Sequence, residues 1–282
     1  DIKELEKKLE KAKDKNKLPK ILIPVHLAGT SCDMKEIFRL SMQFGFSIIE
    51  DASHAIGAKY MDVEVGSCKF SDITVFSFHP VKIITSGEGG ALTTNNFNLF
   101  EKMKDLRSHG ITKDKKKFKK KEQYPWSYEQ HSLGFNYRIT DLQCALGISQ
   151  LKKLSTIVSK RNLILNIYKD LLKNLPLNFL EIPRNCYSSV HLGVIRLENI
   201  NQEFHLNIFK ELRSQGIGVQ LHYLPIHLQP YYKKLGFNKG DFPEAELYAH
   251  NALSIPIYPA LKLEDQKFIS NKIKDALVKH SS

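Results

Sequence analysis

Two short apolar runs, each ending in a polar side chain, constrain this chain most. The first is Ile48-Ile49, followed by Glu50-Asp51-Ala52-Ser53-His54-Ala55. The second is Ile73-Thr74-Val75-Phe76, which leads into Ser77-Phe78-His79-Pro80-Val81-Lys82. Short β-branched and aromatic runs of this kind read as buried strands. His79 precedes Pro80, so its backbone is pushed to extended geometry, and Gly87, Gly89 and Gly90 mark a special turn beyond it. Open α/β sheets place their ligands outside the carboxyl ends of strands. Asp51 stands at one such end, and Lys82 lies between the other and the glycine turn. Partial desolvation lowers a lysine's pKa and makes its amine a nucleophile towards carbonyls. Taken singly, the aspartate is an ordinary loop starter and the lysine an ordinary surface residue.

The rest of the chain alternates in the same style. Ile2, Leu5, Leu9 and Ala12 are spaced for an amphipathic helix over 1–15, and 20–25 reads as a short strand. Asp33-Met34-Lys35-Glu36 resembles a capping box, opening a helix that Gly45 ends. Strands follow at 46–50, 73–78 and 91–94, with a helix over 98–108. Strand–helix–strand alternation predicts an α/β fold with a parallel sheet and right-handed crossovers. Residues 110–134, basic and aromatic without a period, read as a long loop. A helical pattern over 140–175 breaks near Leu154-Ser155 and leads into a smaller α+β part. That part has strands at 190–197 and 218–221 and helices at 203–215 and 263–278. The expected division is a large domain over 1–149 and a small one over 150–282.

The formal net charge of +12 invites a nucleic-acid reading, but the excess sits in residues 113–121 and in the lysine-rich first twenty residues. Such runs are usually solvated and often mobile, and no nucleic-acid motif with interleaved aromatics accompanies them. The run at 113–121 remains a source of positive potential for an anionic substrate. The four cysteines show no metal spacing and read as thiols of a reducing cytoplasm. No apolar run has the length of a membrane span.

A carboxylate and a lysine at neighbouring strand ends suit pyridoxal 5'-phosphate: the lysine holds the cofactor as a Schiff base and the aspartate keeps its pyridine nitrogen protonated. At this point the motifs matter together. EDASHA, SFHPVK with EGGA five residues on, RSHG and LGFNYRITDLQCALG resemble the DegT/DnrJ/StrS family of pyridoxal-phosphate-dependent nucleotide-sugar aminotransferases. PVHLAGTSCDM, FHPVK and HYLPIHLQPYY look like the members that aminate a UDP-linked 4-keto-6-deoxy sugar for pseudaminic acid. The resemblance implies fold type I, the aspartate aminotransferase-like fold, with a mostly parallel large domain and a small α+β C-terminal domain. It implies L-glutamate as amino donor, a UDP-sugar as acceptor, a homodimer with shared active sites, and no nucleic-acid or membrane partner.

The same resemblance assigns roles. Lys82 matches the Schiff-base lysine, which also carries the proton during transfer. Sugar 3-dehydratases of the family carry histidine there, so lysine points to transamination. Asp51 matches the pyridine-nitrogen partner, and His54 a residue that contacts the ring or its 3-oxygen. Ser77 matches a donor to the cofactor phosphate; its alternative is a bond to its own backbone. Asn136 matches an asparagine that reaches the cofactor phosphate of the other subunit, with Tyr137 and Arg138 as neighbours or as packing. His222 and Tyr223 match the small-domain segment facing the sugar nucleotide, where a histidine can bind the diphosphate. His227 and the Tyr231-Tyr232 pair are further candidates there, and His26 a candidate for the donor side.

Two departures stand out. Family members are longer, and roughly 90 N-terminal residues have no counterpart here, among them a phosphate-binding turn at a helix N-terminus, a ring-stacking aromatic and further strands. Ser188-Ser189-Val190-His191 also lacks an aromatic before the histidine. An inactive or split fragment of such an enzyme, and a basic binding protein resting on charge alone, are the competing expectations.

Overall fold

Asp1 opens the first helix by accepting the Glu4 N–H at 3.1 Å, and the apolar stripe read from the sequence buries Leu9. This helix, α1 (Ile2–Asp14), packs on α2 (Met34–Phe44). Asp33 caps α2 at the Glu36 N–H, and Gly45 ends it at φ 76°. Between them lies β1 (Ile21–Leu22), and β2 (Ser47–Asp51) follows. A hairpin of β3 (Lys59–Tyr60) and β4 (Val63–Glu64) leads to β5 (Ile73–Ser77) and β6 (Gly90–Thr93). The computed structural model describes residues 1–120, 124–198 and 200–280. The chain forms two units: Asp1–Leu27 with Ser31–Leu154, and Ala28–Thr30 with Ser155–Ser282.

The central sheet of the first unit has the order β1-β2-β5-β6. β1, β2 and β5 run parallel, as the alternation predicts. β6 is antiparallel to β5, with Ser77 opposite Gly90. Its connection doubles back through the lysine–glycine turn instead of crossing over in a helix, and a parallel neighbour needs such a crossover. The sheet is therefore mixed, with an antiparallel edge.

Helix α3 (Phe97–Arg107) follows, and then the stretch expected to be irregular. It holds an antiparallel pair, β7 (Ile111–Thr112) with β8 (Glu129–Gln130), and a 3₁₀ turn at Lys115–Lys117. The lysine run is tethered, contrary to expectation. The buried Glu129 carboxylate accepts the Lys119 and Lys120 N–H groups at 2.7 and 2.8 Å and meets His131 Nε2 at 2.6 Å. Lys117 pairs with Glu101. Lys121, the end of the run, lies outside the described residues.

Helix α4 (Asp141–Leu151) begins at a capping box formed by Thr140 and Gln143 and buries no residue. The second unit starts with α5 (Leu154–Leu172) and a sheet of order β12-β11-β9, from β9 (Leu177–Phe179), β11 (Gly193–Leu197) and β12 (Ala252–Ile255). Between β9 and β11 lies β10 (Cys186–Tyr187). Helices α6 (Gln202–Ser214), α7 (Pro230–Lys233), α8 (Pro243–Asn251) and α9 (Leu263–His280) complete it. Tyr168, Leu172, Ile195, Ile208, Leu253 and Ile273 form its fully buried centre.

The expected strand at 218–221 is absent. Leu221 N–H bonds to the Gln220 side chain, leaving one bridge from Gln220 to Ser254. β12 escaped the sequence reading because all four residues are buried and no alternation marks it. Ser189 N–H bonds to Gly29 O at 3.0 Å, and a Cβ on Gly29 would lie 2.6 Å from Ser189 Oγ. Among the described residues no helix is long and apolar enough to cross a membrane.

The bonds from His131 and the two lysine amides lower the Glu129 carboxyl from its ordinary 4.5 to about 2. A depressed carboxyl adds stability that is complete above its unfolded value and is lost as pH falls through its folded one. Glu129→Gln should raise tryptic cleavage at 115–120 roughly tenfold near neutral pH, the scale of a lost charge-assisted hydrogen bond. As pH falls from about 4.5 to about 2, the difference between the two proteins in unfolding midpoint should vanish.

Candidate active site

Parallel pairing puts Asp51 opposite Val75, and strand alternation then places Asp51, Val75 and Ser77 on one face of the β2–β5 pair. That face is half-buried, while Ile48, Glu50, Thr74 and Phe76 on the other are buried. The end of β2 is held on both sides. Asp51 N–H bonds to Pro24 O at 2.9 Å, His26 N–H to Asp51 O at 3.0 Å, and Ala52 N–H to Val75 O at 2.9 Å. Asp51 Oδ1 accepts the Ser53 N–H at 3.0 Å. His54 is buried in the turn that follows.

β5 ends in a folded turn. Lys82 N–H bonds to His79 O at 3.0 Å, Ser86 N–H to Phe78 O at 3.1 Å, and Phe78 N–H to Gly89 O at 2.8 Å. Gly87 and Gly89 take φ values of 83° and 149°, and Gln143 at the start of α4 donates to Glu88 O at 3.0 Å. The turn leaves the Lys82 amine within the electrostatic reach of Asp51. Burial pulls that amine below the ordinary lysine value, and the Asp51 carboxylate opposes the shift. The two groups read from the sequence thus share one electrostatic neighbourhood. Ser77 Oγ accepts the His79 N–H at 3.4 Å, the local bond weighed against a ligand role.

The other candidates lie elsewhere. Asn136 is exposed and bridges Ser108, next to the stacked rings of Phe135 and Tyr137. His222 and Tyr223 belong to the second unit. His222 Nδ1 meets Ser254 Oγ at 2.8 Å, Tyr248 donates to His222 O at 2.9 Å, and the Tyr223 ring is half exposed. Tyr231 and Tyr232 form an exposed edge-to-face pair.

Two further histidine candidates are bonded to buried glutamates. His227 is buried and bonded to Glu246 at 2.8 Å, and Glu246 also accepts the Gly240 N–H, so His227 ties a loop to α8. His26 is fully buried, with Nε2 2.8 Å from Glu50. Glu50 itself was missed, since a glutamate at a strand end carries no sign of the face it will occupy.

The sequence matches the DegT/DnrJ/EryC1/StrS aminotransferase family over residues 1–274. The chain belongs to this family. It is 40% identical over 259 residues to the UDP-4-amino-4,6-dideoxy-N-acetyl-beta-L-altrosamine transaminase of Campylobacter jejuni, covering 90% of this chain and 65% of that one. Its structure is similar to Helicobacter pylori PseC, described as an aminotransferase involved in the biosynthesis of pseudoaminic acid. The TM-score is 0.83 and the identity 33%, over 91% of this chain and 66% of that one. The PLP-form of Spr1654, a putative sugar aminotransferase of Streptococcus pneumoniae, also superposes, with a TM-score of 0.83 and 28% identity over 93% of this chain and 69% of that one. The chain thus spans about two thirds of the length of its relatives. The neighbours give the fold as that of the family's PLP-dependent aminotransferases, fold type I.

The turn that presents Lys82 tolerates little change. A Cβ on Gly90 would lie 2.6 Å from Phe76 O, a backbone atom that cannot step aside. Gly90→Ala should cost about 1–3 kcal/mol in a denaturant titration. It should also change the pH dependence of Lys82 acylation, which peptide mass spectrometry reads.

Proposed function

We propose that this chain acts as a nucleotide-sugar aminotransferase, moving an amino group from L-glutamate to the 4-keto carbon of a UDP-linked 6-deoxy-N-acetylamino sugar. The pairing of a desolvated Lys82 amine with Asp51 at adjoining strand ends carries the proposal. Pyridoxal phosphate, when bound, supplies a carbonyl for amines and a ring that withdraws electrons. The residues present fit it: an amine whose pKa burial lowers, a carboxylate beside it, and a serine hydroxyl on the same face. Lys82 Nζ would hold the cofactor and move the proton at the donor carbon. Asp51 would keep the proton on the ring nitrogen, His54 would contact the ring, and Ser77 would donate to the phosphate. His222 and Tyr223 would face the sugar nucleotide, as their match to the family segment suggests.

A homodimer with shared sites is part of the proposal. Leu142, Leu146, Ile148 and Leu151 of α4 are all exposed, and so are Leu133, Phe135 and Tyr137 just before it. Apolar surface of this extent marks a protein contact, and Asn136 lies in its midst, where it would reach the partner's cofactor phosphate. Leu142→Asp should shift the chain towards monomer in sedimentation velocity and weaken cofactor binding. The setting we propose is cytoplasmic, in keeping with four cysteines that form no disulfide.

A second reading, that this chain is an inactive part of such an enzyme, rests on the sheet. β1 and β6 are its outer strands, with Ile21 and Leu92 exposed. Open apolar edges invite further strands.

One experiment separates the two readings. Pyridoxal phosphate added to the purified chain should give a visible absorbance band that borohydride fixes onto Lys82, and L-glutamate should convert the unreduced band. Lys82→Ala should abolish fixation and lower any transamination by about 10²–10⁴-fold. A chain that gives no band, or the same band in Lys82→Ala, would favour the inactive reading.

A further inference from the structure

Glu50 is buried at 5% exposure, one residue before Asp51, on the opposite face of β2. Its carboxylate accepts from Ser71 Oγ and, at 2.9 Å, from Thr74 Oγ1, and lies 2.8 Å from His26 Nε2. His26 Nδ1 accepts the Cys32 N–H at 3.2 Å, so the ring's proton sits on Nε2 and is donated to Glu50. Burial alone would raise the Glu50 carboxyl, but the bonds from His26, Ser71 and Thr74 outweigh it and hold it below the usual range. Glu50 is thus an anion with three directed donors.

The network joins three neighbouring strand ends. His26 follows β1 and is bonded to β2 twice, by its side chain to Glu50 and by its backbone N–H to Asp51 O. Thr74 stands opposite Glu50 in the parallel register of β2 and β5. Ser71 comes from the segment entering β5, where Asp72 also accepts the Ile48 N–H at 2.8 Å. The other polar groups nearby are the Cys32 thiol, which donates to Val25 O, and Ser31, Tyr60, Glu64 and Lys69, which line a small cavity with Glu50.

A buried carboxylate is an expensive way to hold layers together, since well-packed apolar residues of similar volume often do it as well or better. Apolar contact, however, is non-directional. Three directed bonds set the rotation of a strand about its own axis, and that rotation aims the next side chain.

We propose that Glu50, with His26, is a positioning residue for Asp51, fixing the turn of the β2 end so that the Asp51 carboxylate faces the Lys82 amine. The proposal rests on Lys82 and Asp51 being the working pair. Glu50 touches neither the amine nor a ligand and acts through the strand.

The test needs no cofactor. Lys82 is acylated with acetic anhydride in the full chain across a pH range, with labelling read by peptide mass spectrometry and folding by thermal melting. Asp51→Asn removes the charge that holds the Lys82 amine up, so labelling at pH 7 should rise about threefold. Glu50→Gln and His26→Gln should raise labelling in the same sense. Glu50→Asp should do so too, because it keeps the charge but is too short to reach all three donors. A merely structural Glu50 would lower the melting temperature and leave the Lys82 profile where it is in wild type; that outcome in a folded variant overturns the proposal. If Glu50→Gln does not fold, Thr74→Val removes a single donor and should give a smaller shift, and an unmoved profile there is equally decisive. Should Asp51→Asn itself leave Lys82 unmoved, the pairing fails and the positioning role falls with it.

Discussion

A β-strand sends successive side chains to opposite faces, and at the end of β2 this rule separates two carboxylates that are neighbours in sequence. Glu50 turns into the buried face, where it survives as an anion because Ser71, Thr74 and His26 all donate to it. Asp51 turns to the half-buried face, level with Val75 and below Ser77. A register slip of one residue would exchange the two: an unpaired aspartate in the core and a glutamate at the site. The backbone bonds at Pro24, His26 and Val75 prevent such a slip. The end of β2 is therefore held both by its backbone bonds and by the polar contacts of Glu50.

The lysine depends on a different device. It sits on a turn, and a turn that leaves its amine within the electrostatic reach of Asp51 needs backbone shapes that ordinary residues avoid. Gly87 and Gly89 supply positive φ values, while Gly90 lets the returning strand lie close against Phe76 O. The same turn makes β6 antiparallel, so one loop both presents the amine and closes that edge of the parallel set. Burial then lowers the amine's pKa, and Asp51 limits how far. A lysine amine whose pKa is lowered is a better nucleophile towards carbonyls.

The second unit is built on different physics. Its antiparallel sheet is covered by helices around Tyr168, Ile195, Ile208 and Ile273. Arg161 is buried within it and donates to the carbonyls of Val190, His191 and Ile257, joining segments far apart in sequence. In the first unit the apolar surface is left outside instead, on α4 and the segment before it. The apolar core of the second unit is closed within it, whereas the apolar face of α4 is the surface on which the proposed homodimer rests.

Local chemistry was legible in the sequence. Helix starts at Asp33 and Thr140, the Gly45 stop, the strand ends at Asp51 and Ser77 and the lysine before a glycine turn depend on neighbours a few residues away, so spacing reveals them. The motifs around Asp51, Lys82 and Asn136 were enough to point to the family. Tertiary structure decided what depends on distant partners. It paired 111–112 with 129–130 and tied Lys119 and Lys120 to Glu129, which also meets His131. It reduced 218–221 to a single bridge and made a strand of the fully buried β12. It paired His26 with Glu50 and His227 with Glu246, all four of them buried. A histidine or glutamate looks the same in sequence on either face of a strand; the register of neighbouring strands, closed by residues tens of positions apart, selects which face is buried.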